Sequence, residues 1–158
     1  MQTKAEFYSS LPAKRMGAGV VFLNAQGEVL VVQPTYKETW EIPGGIVEQN
    51  ESPRAAAVRE VEEELQLKLI PESLSLISID YMAAGGDRTE ALMFIFFGGI
   101  LNAELQANIE LATEELRSFR FAESSIAASL LGPVLGPRIL RALKAIESGS
   151  PVYFEGQY

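Results

Sequence analysis

The sequence predicts an α/β class chain folded as an α/β/α sandwich round a mixed central sheet, and three observations predict it. β-rich runs are joined by short turns, and helical patterns lie far apart, at residues 53–65 and after residue 123. A length of 158 residues with 47% apolar side chains suits one domain with a core of its own. A single domain over residues 1–158 is therefore expected. Hairpins dominate the strand connections, which argues against a sequential βαβ doubly wound fold.

Residues 17–23 and 28–33 are β-rich and are joined by Asn24-Ala25-Gln26-Gly27, which reads as a hairpin turn. A loop, PTYKET, leads to the short segment Trp40-Glu41-Ile42 and then to Pro43-Gly44-Gly45. Two consecutive glycines there permit a tight turn that side chains would block. Ser52 is a good N-cap and Pro53 a good first helical residue, so a helix is expected over residues 53–65. Pro71 closes that region, and residues 74–82 and 90–101 read as two strands around the turn Ala84-Gly85-Gly86-Asp87-Arg88. Residues 102–113 read as an acidic loop and residues 118–121 as a short strand. One helix then runs from about Glu123 to Gly132-Pro133, and a last one covers residues 136–147 with Ile139, Leu140, Leu143 and Ile146 as its apolar stripe. The tail, residues 150–158, holds either an edge strand through Val152-Tyr153-Phe154 or a loose end. Ile95, Phe96 and Phe97 suit a core or a dimer seam equally, which leaves monomer and homodimer both open.

Composition removes several chemistries. With no histidine and no cysteine, the chain offers no thiol nucleophile, no Ser-His-Asp triad, no His or Cys zinc site and no iron–sulfur ligation. Catalysis must then rest on carboxylates, Lys, Tyr, Ser or a metal held by oxygen. Thirteen Lys plus Arg against 21 Asp plus Glu give a net charge of −8, a surface that repels phosphate backbones. No nucleic-acid partner is expected, whereas a small anion stays compatible because a bound metal reverses the local sign. The opening MQTKAEFYSS lacks an apolar signal segment, and the longest apolar run, residues 91–97, is too short to span a bilayer. A cytoplasmic setting without a membrane partner is the expectation.

The chemistry concentrates in residues 45–67, GIVEQNESPRAAAVREVEEELQL. At about 100° per helical residue, Glu60, Glu63 and Glu64 fall within about 100° of arc, with Val58, Val61 and Leu65 on the opposite side. Carboxylates gathered on one face repel one another unless a cation or a proton joins them, and a hard divalent metal is the natural occupant. A solvated acidic helix face is the bland alternative, and most charge runs are that.

Gly45, Glu51, Arg59-Glu60-Val61, Glu63-Glu64 and Leu67 stand in a fixed spacing that closely resembles the signature of the Nudix hydrolases, matching eight of its nine specified positions. The exception is Gln66, where the family carries glycine; a side chain in a left-handed helix exit costs roughly 1 kcal/mol. The resemblance implies a Nudix-like α/β/α fold and a pyrophosphohydrolase whose Glu60, Glu63 and Glu64 hold Mg²⁺, with Mn²⁺ as the alternative ion. It implies that Arg59 orients the glutamates, that Glu51 supports the metal site, and that Glu63 or Glu64 takes the proton of the attacking water. Glu90, Glu110, Glu114 and Glu115 are candidate acids outside the signature, each more readily an ordinary surface acid.

For the substrate, Gly44 and Gly45 shape the approach, Tyr36, Trp40, Tyr81 and Phe119 are candidate stacking partners for a base, and Lys37 and Arg88 are candidate phosphate contacts. Core packing is the competing reading for each aromatic residue. The expected reaction is Mg²⁺-dependent hydrolysis of a diphosphate linkage in a small nucleotide, with nucleotide sugars and nucleoside triphosphates comparable. A catalytically silent nucleotide-binding or protein-interaction domain is the alternative. An isopentenyl diphosphate isomerase fits poorly, for want of the Cys and His tied to that activity.

Overall fold

The computed structural model describes residues 1–156; Gln157 and Tyr158, the end of the tail read above, lie outside the described residues. Helix α1 (Lys4–Ser10) precedes strands β1 (Arg15–Leu23), β2 (Val29–Pro34) and β3 (Gly44–Ile46), and helix α2 spans Pro53–Leu65. Strands β4 (Ser75–Met82) and β5 (Ala91–Ile100) follow, then α3 (Ala103–Ala107), β6 (Leu116–Ala122), α4 (Ser124–Ser148) and β7 (Val152–Gly156). The seven strands form one sheet in the order β6-β2-β1-β5-β4-β7, with β3 paired to β1 off that path. β1 runs parallel to β5 and β4 parallel to β7, while the remaining pairs are antiparallel, so the sheet is mixed.

Alternation along β1 sets the layers. Ala18, Val20 and Phe22 face one side, where Ala56, Ala57, Val61 and Leu65 of α2 pack on them; Val21 faces the other, against Ala127, Leu131, Ile139 and Ala142 of α4. This is the α/β/α sandwich. Ile95 and Phe96 are buried and Phe97 packs on the α4-side core, so these residues serve the interior of the chain.

β1 and β2 meet at Leu23 and Val29 and then diverge, and residues 41–46 are wedged into the opening. Glu41 bridges to Val32 of β2, the Val20 amide donates to Pro43 O at 2.8 Å, and Gly44, Gly45 and Ile46 pair with Gly19, Ala18 and Gly17 of β1. The expected tight turn at the two glycines is therefore corrected to a strand. Small side chains are needed there because of close approach: a Cβ on Gly44, whose φ is +149°, would lie 2.3 Å from Ala18 O.

A helix not expected from the sequence precedes the sheet, and one expected loop turns out helical. Residues 4–10 form a helix capped by Thr3, whose hydroxyl accepts from the Glu6 amide while Glu6 accepts from Thr3, a capping box the sequence spells as Thr3-x-x-Glu6. Residues 103–107, expected as loop, form a short helix because the Asn102 side chain accepts from the Leu105 amide. The last two helices stand as expected: within α4 they are separated at Gly132, whose φ of +79° and ψ of −177° break the ladder between them. By length and composition α4 also meets the measure for a bilayer span, against the expectation from the longest apolar run. It is interrupted at Gly132 and buries Ala127, Leu131, Ile139, Ala142 and Ala145 against the sheet, as a core helix does. The tail resolves as edge strand β7 on β4, through residue 156.

Candidate active site

Helix α2 starts where the sequence places it: Ser52 Oγ accepts from the Ala55 amide at 3.1 Å and Pro53 opens the first turn. Its inner face then lies across the glycine strand. Glu64 Oε2 accepts from the Gly44 amide at 3.0 Å, and a Cβ on Gly45 would sit 2.2 Å from Glu60 Oε1, so both carboxylates abut β3. Glu63, with 56% of its side chain exposed, sits at the helix edge. The structure brings Glu60 and Glu64 together and leaves Glu63 at the rim.

Arg59 ties the set. Its Nε and Nη2 bond both oxygens of Glu51 at 2.9 and 3.1 Å, and its Nη1 donates to Glu60 Oε1 at 2.8 Å and to Glu63 Oε2 at 3.0 Å. Nη2 also donates to Ile46 O at 3.1 Å, which pins the end of β3 to the helix. A planar fork of donors makes such multiple carboxylate contacts possible, and the contacts raise the guanidinium pKa while holding Glu51 below the usual carboxylate range.

Glu64 is buried, and burial pushes its pKa up to about 8, with repulsion from Glu60, Glu41 and Glu115 adding to the shift and the Gly44 amide opposing it. Burial likewise raises Glu60, against the pull of Arg59. Glu115 reaches this neighbourhood because the Ala112 amide bonds Glu64 O at 3.0 Å and the Thr35 amide bonds Glu115 O at 2.8 Å. Glu90 instead joins Lys14 and Tyr81. A raised carboxylate binds its proton more tightly folded than unfolded, so stability falls as pH rises from near 4.5 to about 8. Glu51 and Glu90, whose values are lowered from 4.5, already contribute fully throughout that range and do not offset the fall. In metal-free buffer the melting temperature is expected to drop between pH 5 and pH 8, and Mg²⁺ to restore it at pH 8. A flat profile contradicts this.

Beside the glycine strand opens a cavity of about 530 Å³. Gly44, Gly45, Tyr36, Lys37, Trp40 and Arg88 all line it, and so do Arg15, Glu41, Met93, Phe94 and Arg138, which the sequence reading missed. Tyr36 is 74% exposed, so its core-packing reading is corrected. Phe119 packs on the α2-side core and Tyr81 bonds Glu90, both away from the cavity wall, as are Glu51, Arg59, Glu60, Glu63 and Glu64; of the site it is the glycine strand that borders the cavity. Glu41 had a signal, two residues before Pro43; Arg138 had none, being brought in by tertiary packing.

The family model for the NUDIX domain matches residues 13–135. The chain belongs to the Nudix family. It is a hydrolase of the Nudix type, and its relatives include an RNA pyrophosphohydrolase of Rhodospirillum rubrum, 29% identical over 140 residues that cover 78% of this chain and 81% of that protein. Nudix hydrolase 5 of Arabidopsis thaliana is 42% identical over 67 residues, 37% of this chain and 22% of that one. The fold is shared with a Caenorhabditis elegans Ap4A hydrolase, with a TM-score of 0.64 at 22% identity over 85% of this chain and 98% of that one.

In this Nudix chain Gln66 takes the left-handed exit itself, at φ 56° and ψ 21°, and its amide bonds Glu62 O at 3.0 Å. Gln66→Gly is expected to leave turnover intact and to hold or raise the melting temperature, by roughly 1 kcal/mol of relieved strain. A large loss of activity would show that Gln66 acts in the site.

Proposed function

We propose that the chain is a Mg²⁺-dependent pyrophosphohydrolase that cleaves the diphosphate linkage of a small nucleotide, in a cytoplasmic setting. The observation that carries the reading is the pair Glu60 and Glu64, two desolvated carboxylates against a glycine strand that opens into the cavity. Hard oxygen donors are the right kind for Mg²⁺, which is ordinarily held by one or two carboxylates together with waters and substrate phosphates. Among the described residues no group of three acidic side chains is arranged to hold a metal ion by itself. Glu60 and Glu64 would hold the ion, with Glu63 as third donor on the same Arg59 amino group. Bound there, the ion would neutralise phosphate charge and acidify a water.

The chain's own residues do the rest. Arg59 fixes Glu60 and Glu63 and keeps β3 against the helix. Glu63 or Glu64 would take the water's proton; of the two, Glu64 is buried against the Gly44 amide and Glu63 is exposed. Lys37 and Arg88, which line the cavity, are the candidates for contacts to phosphate oxygens, and Tyr36 and Trp40, also in its lining, for stacking on a base. With Ile95 and Phe96 spent inside the chain, a monomer is the simplest assembly.

The relatives named RNA pyrophosphohydrolase support a second reading, an RNA 5′ end as substrate. The net charge of −8 weighs against a long polyanion. A panel of nucleoside triphosphates, nucleotide sugars and 5′-triphosphorylated RNA, with and without Mg²⁺ and read by product chromatography, separates the two. Binding without turnover across the panel would favour the silent-domain alternative.

A further inference from the structure

An open sheet ends in two strands, and each offers a row of backbone donors and acceptors that a further strand can take. Here the ends are β6 and β7, and among the described residues β7 pairs with β4 alone. The Ala83 amide donates to Gly156 O at 3.0 Å, so Gly156 turns its backbone groups inward to β4. By the two-residue period Val152 and Phe154 do the same, and Tyr153 and Glu155 turn theirs outward. Sheets commonly guard such an edge with proline, lysine or a bulge. β7 has no proline and no lysine, its register with β4 is unbroken, and Tyr153 is 62% exposed.

A lone carboxylate on an edge discourages pairing, and Glu155 is such a charge. The Tyr153 hydroxyl donates to Glu155 Oε1 at 2.9 Å, which puts both side chains on one face of the strand. An antiparallel copy of β7, laid along the edge with its two-fold axis at Phe154, sets Tyr153 opposite Glu155 of the second copy and Glu155 opposite its Tyr153. All of these residues turn their backbone groups outward, so each opposition exchanges both of its backbone bonds and brings a hydroxyl to a carboxylate. The strand is braced from behind. Arg141 lies over the Phe154 ring, and Arg141 and Arg138 stand 3.6 and 3.1 Å from Asp80 of β4, which ties α4, β4 and β7 together. The other edge lacks the match: β6, LRSFRFA, carries Arg117 and Arg120 and no acid, so pairing with itself leaves like charges without a partner.

We propose that β7 is a self-association edge: a second copy of this chain pairs its β7 antiparallel to β7 about Phe154, continuing one sheet through two chains. With Ile95 and Phe96 spent inside the chain, an assembly must use another surface, and β7 supplies it. The symmetric register makes the contact isologous and closed, so it ends at a dimer. A single strand pairing is a small interface, so exchange is reversible, and the net charge of −8 on each copy opposes it at low salt. The inference goes beyond the hydrolase reading and does not depend on it.

The experiment is sedimentation velocity of the full chain over a concentration series, at low and raised salt, for wild type, Glu155→Pro and Tyr153→Lys. Wild type is expected to show a monomer–dimer equilibrium that tightens as salt rises. Glu155→Pro removes an outward N–H and the carboxylate but no bond to β4, and is expected to weaken the dimer by about tenfold or more while the melting temperature and turnover hold. Tyr153→Lys sets an ammonium opposite the carboxylate and is expected to keep or tighten the dimer, whereas an association driven by aromatic burial would be lost. Because the chain has no cysteine, Tyr153→Cys and Glu155→Cys each carry one thiol, and oxidation of their mixture is expected to give more cross-linked dimer than either protein alone. A monomer at every concentration and salt overturns the proposal. So does a dimer of wild-type strength in folded Glu155→Pro, loss of the dimer in Tyr153→Lys, or cross-linking no greater in the mixture. Should Glu155→Pro fail to fold, the lysine variant and the cysteine pair decide.

Discussion

Glu64→Gln is expected to lower kcat by about 10²–10⁴-fold while the fold survives. The carboxamide has the shape of the carboxylate and keeps an oxygen for the Gly44 amide, whose bond at 3.0 Å ties α2 to β3. What it loses is the negative charge, and with it both a hard metal donor and a proton acceptor. Because that charge is held in a buried position next to Glu60, Glu41 and Glu115, its removal also relieves repulsion. The melting temperature at pH 8 without metal should therefore rise, opposite in sign to the activity. Loss of activity with a gain of stability distinguishes a functional carboxylate from a structural one. Glu63→Gln, measured in parallel, removes an exposed side chain that shares Arg59 with Glu60 and should leave stability nearly unchanged. Undiminished hydrolysis in both variants would remove the mechanism.

The second large effect is on the wedge. Gly44→Ala should destabilise by about 3 kcal/mol or more, because the new methyl meets rigid backbone and the residue must keep a φ few L residues adopt. The contact is 2.3 Å to Ala18 O and 2.6 Å to Gly19 Cα, and neither atom can rotate away. Gly45→Ala meets only the Glu60 carboxylate, the end of a flexible side chain, so its cost should fall on activity more than on stability. Urea denaturation of the two variants with turnover of the folded fraction checks both. Equal stability of Gly44→Ala and wild type would show that β3 is not held as described.

Helix α2 was legible to the residue because its signals are local: Ser52 caps, Pro53 opens and the apolar residues recur at helical spacing. The same locality made the turns at residues 24–27 and 84–88 readable, and Thr3 and Asn102 show local caps that were present but passed over. What sequence spacing does not contain is pairing between distant segments. Gly44-Gly45 reads as a turn until β1 and β2 are seen to part and admit residues 41–46 as a strand. Helical arithmetic put three glutamates on one arc but could not say that β3 crosses it next to Glu60 and Glu64 and leaves Glu63 in solvent. Arg138 and Asp80 lie 58 positions apart, in different elements with no shared period, and only the packing of α4 on β4 unites them.

The central claim is that Glu60 and Glu64, set against the glycine strand, hold a divalent ion. Mn²⁺ titration followed by electron paramagnetic resonance, in wild type, Glu60→Gln and Glu64→Gln, tests it without relying on turnover. The account predicts saturable binding in wild type that tightens when a nucleoside diphosphate is added, and marked weakening in each variant. Binding of equal strength in all three proteins would contradict it.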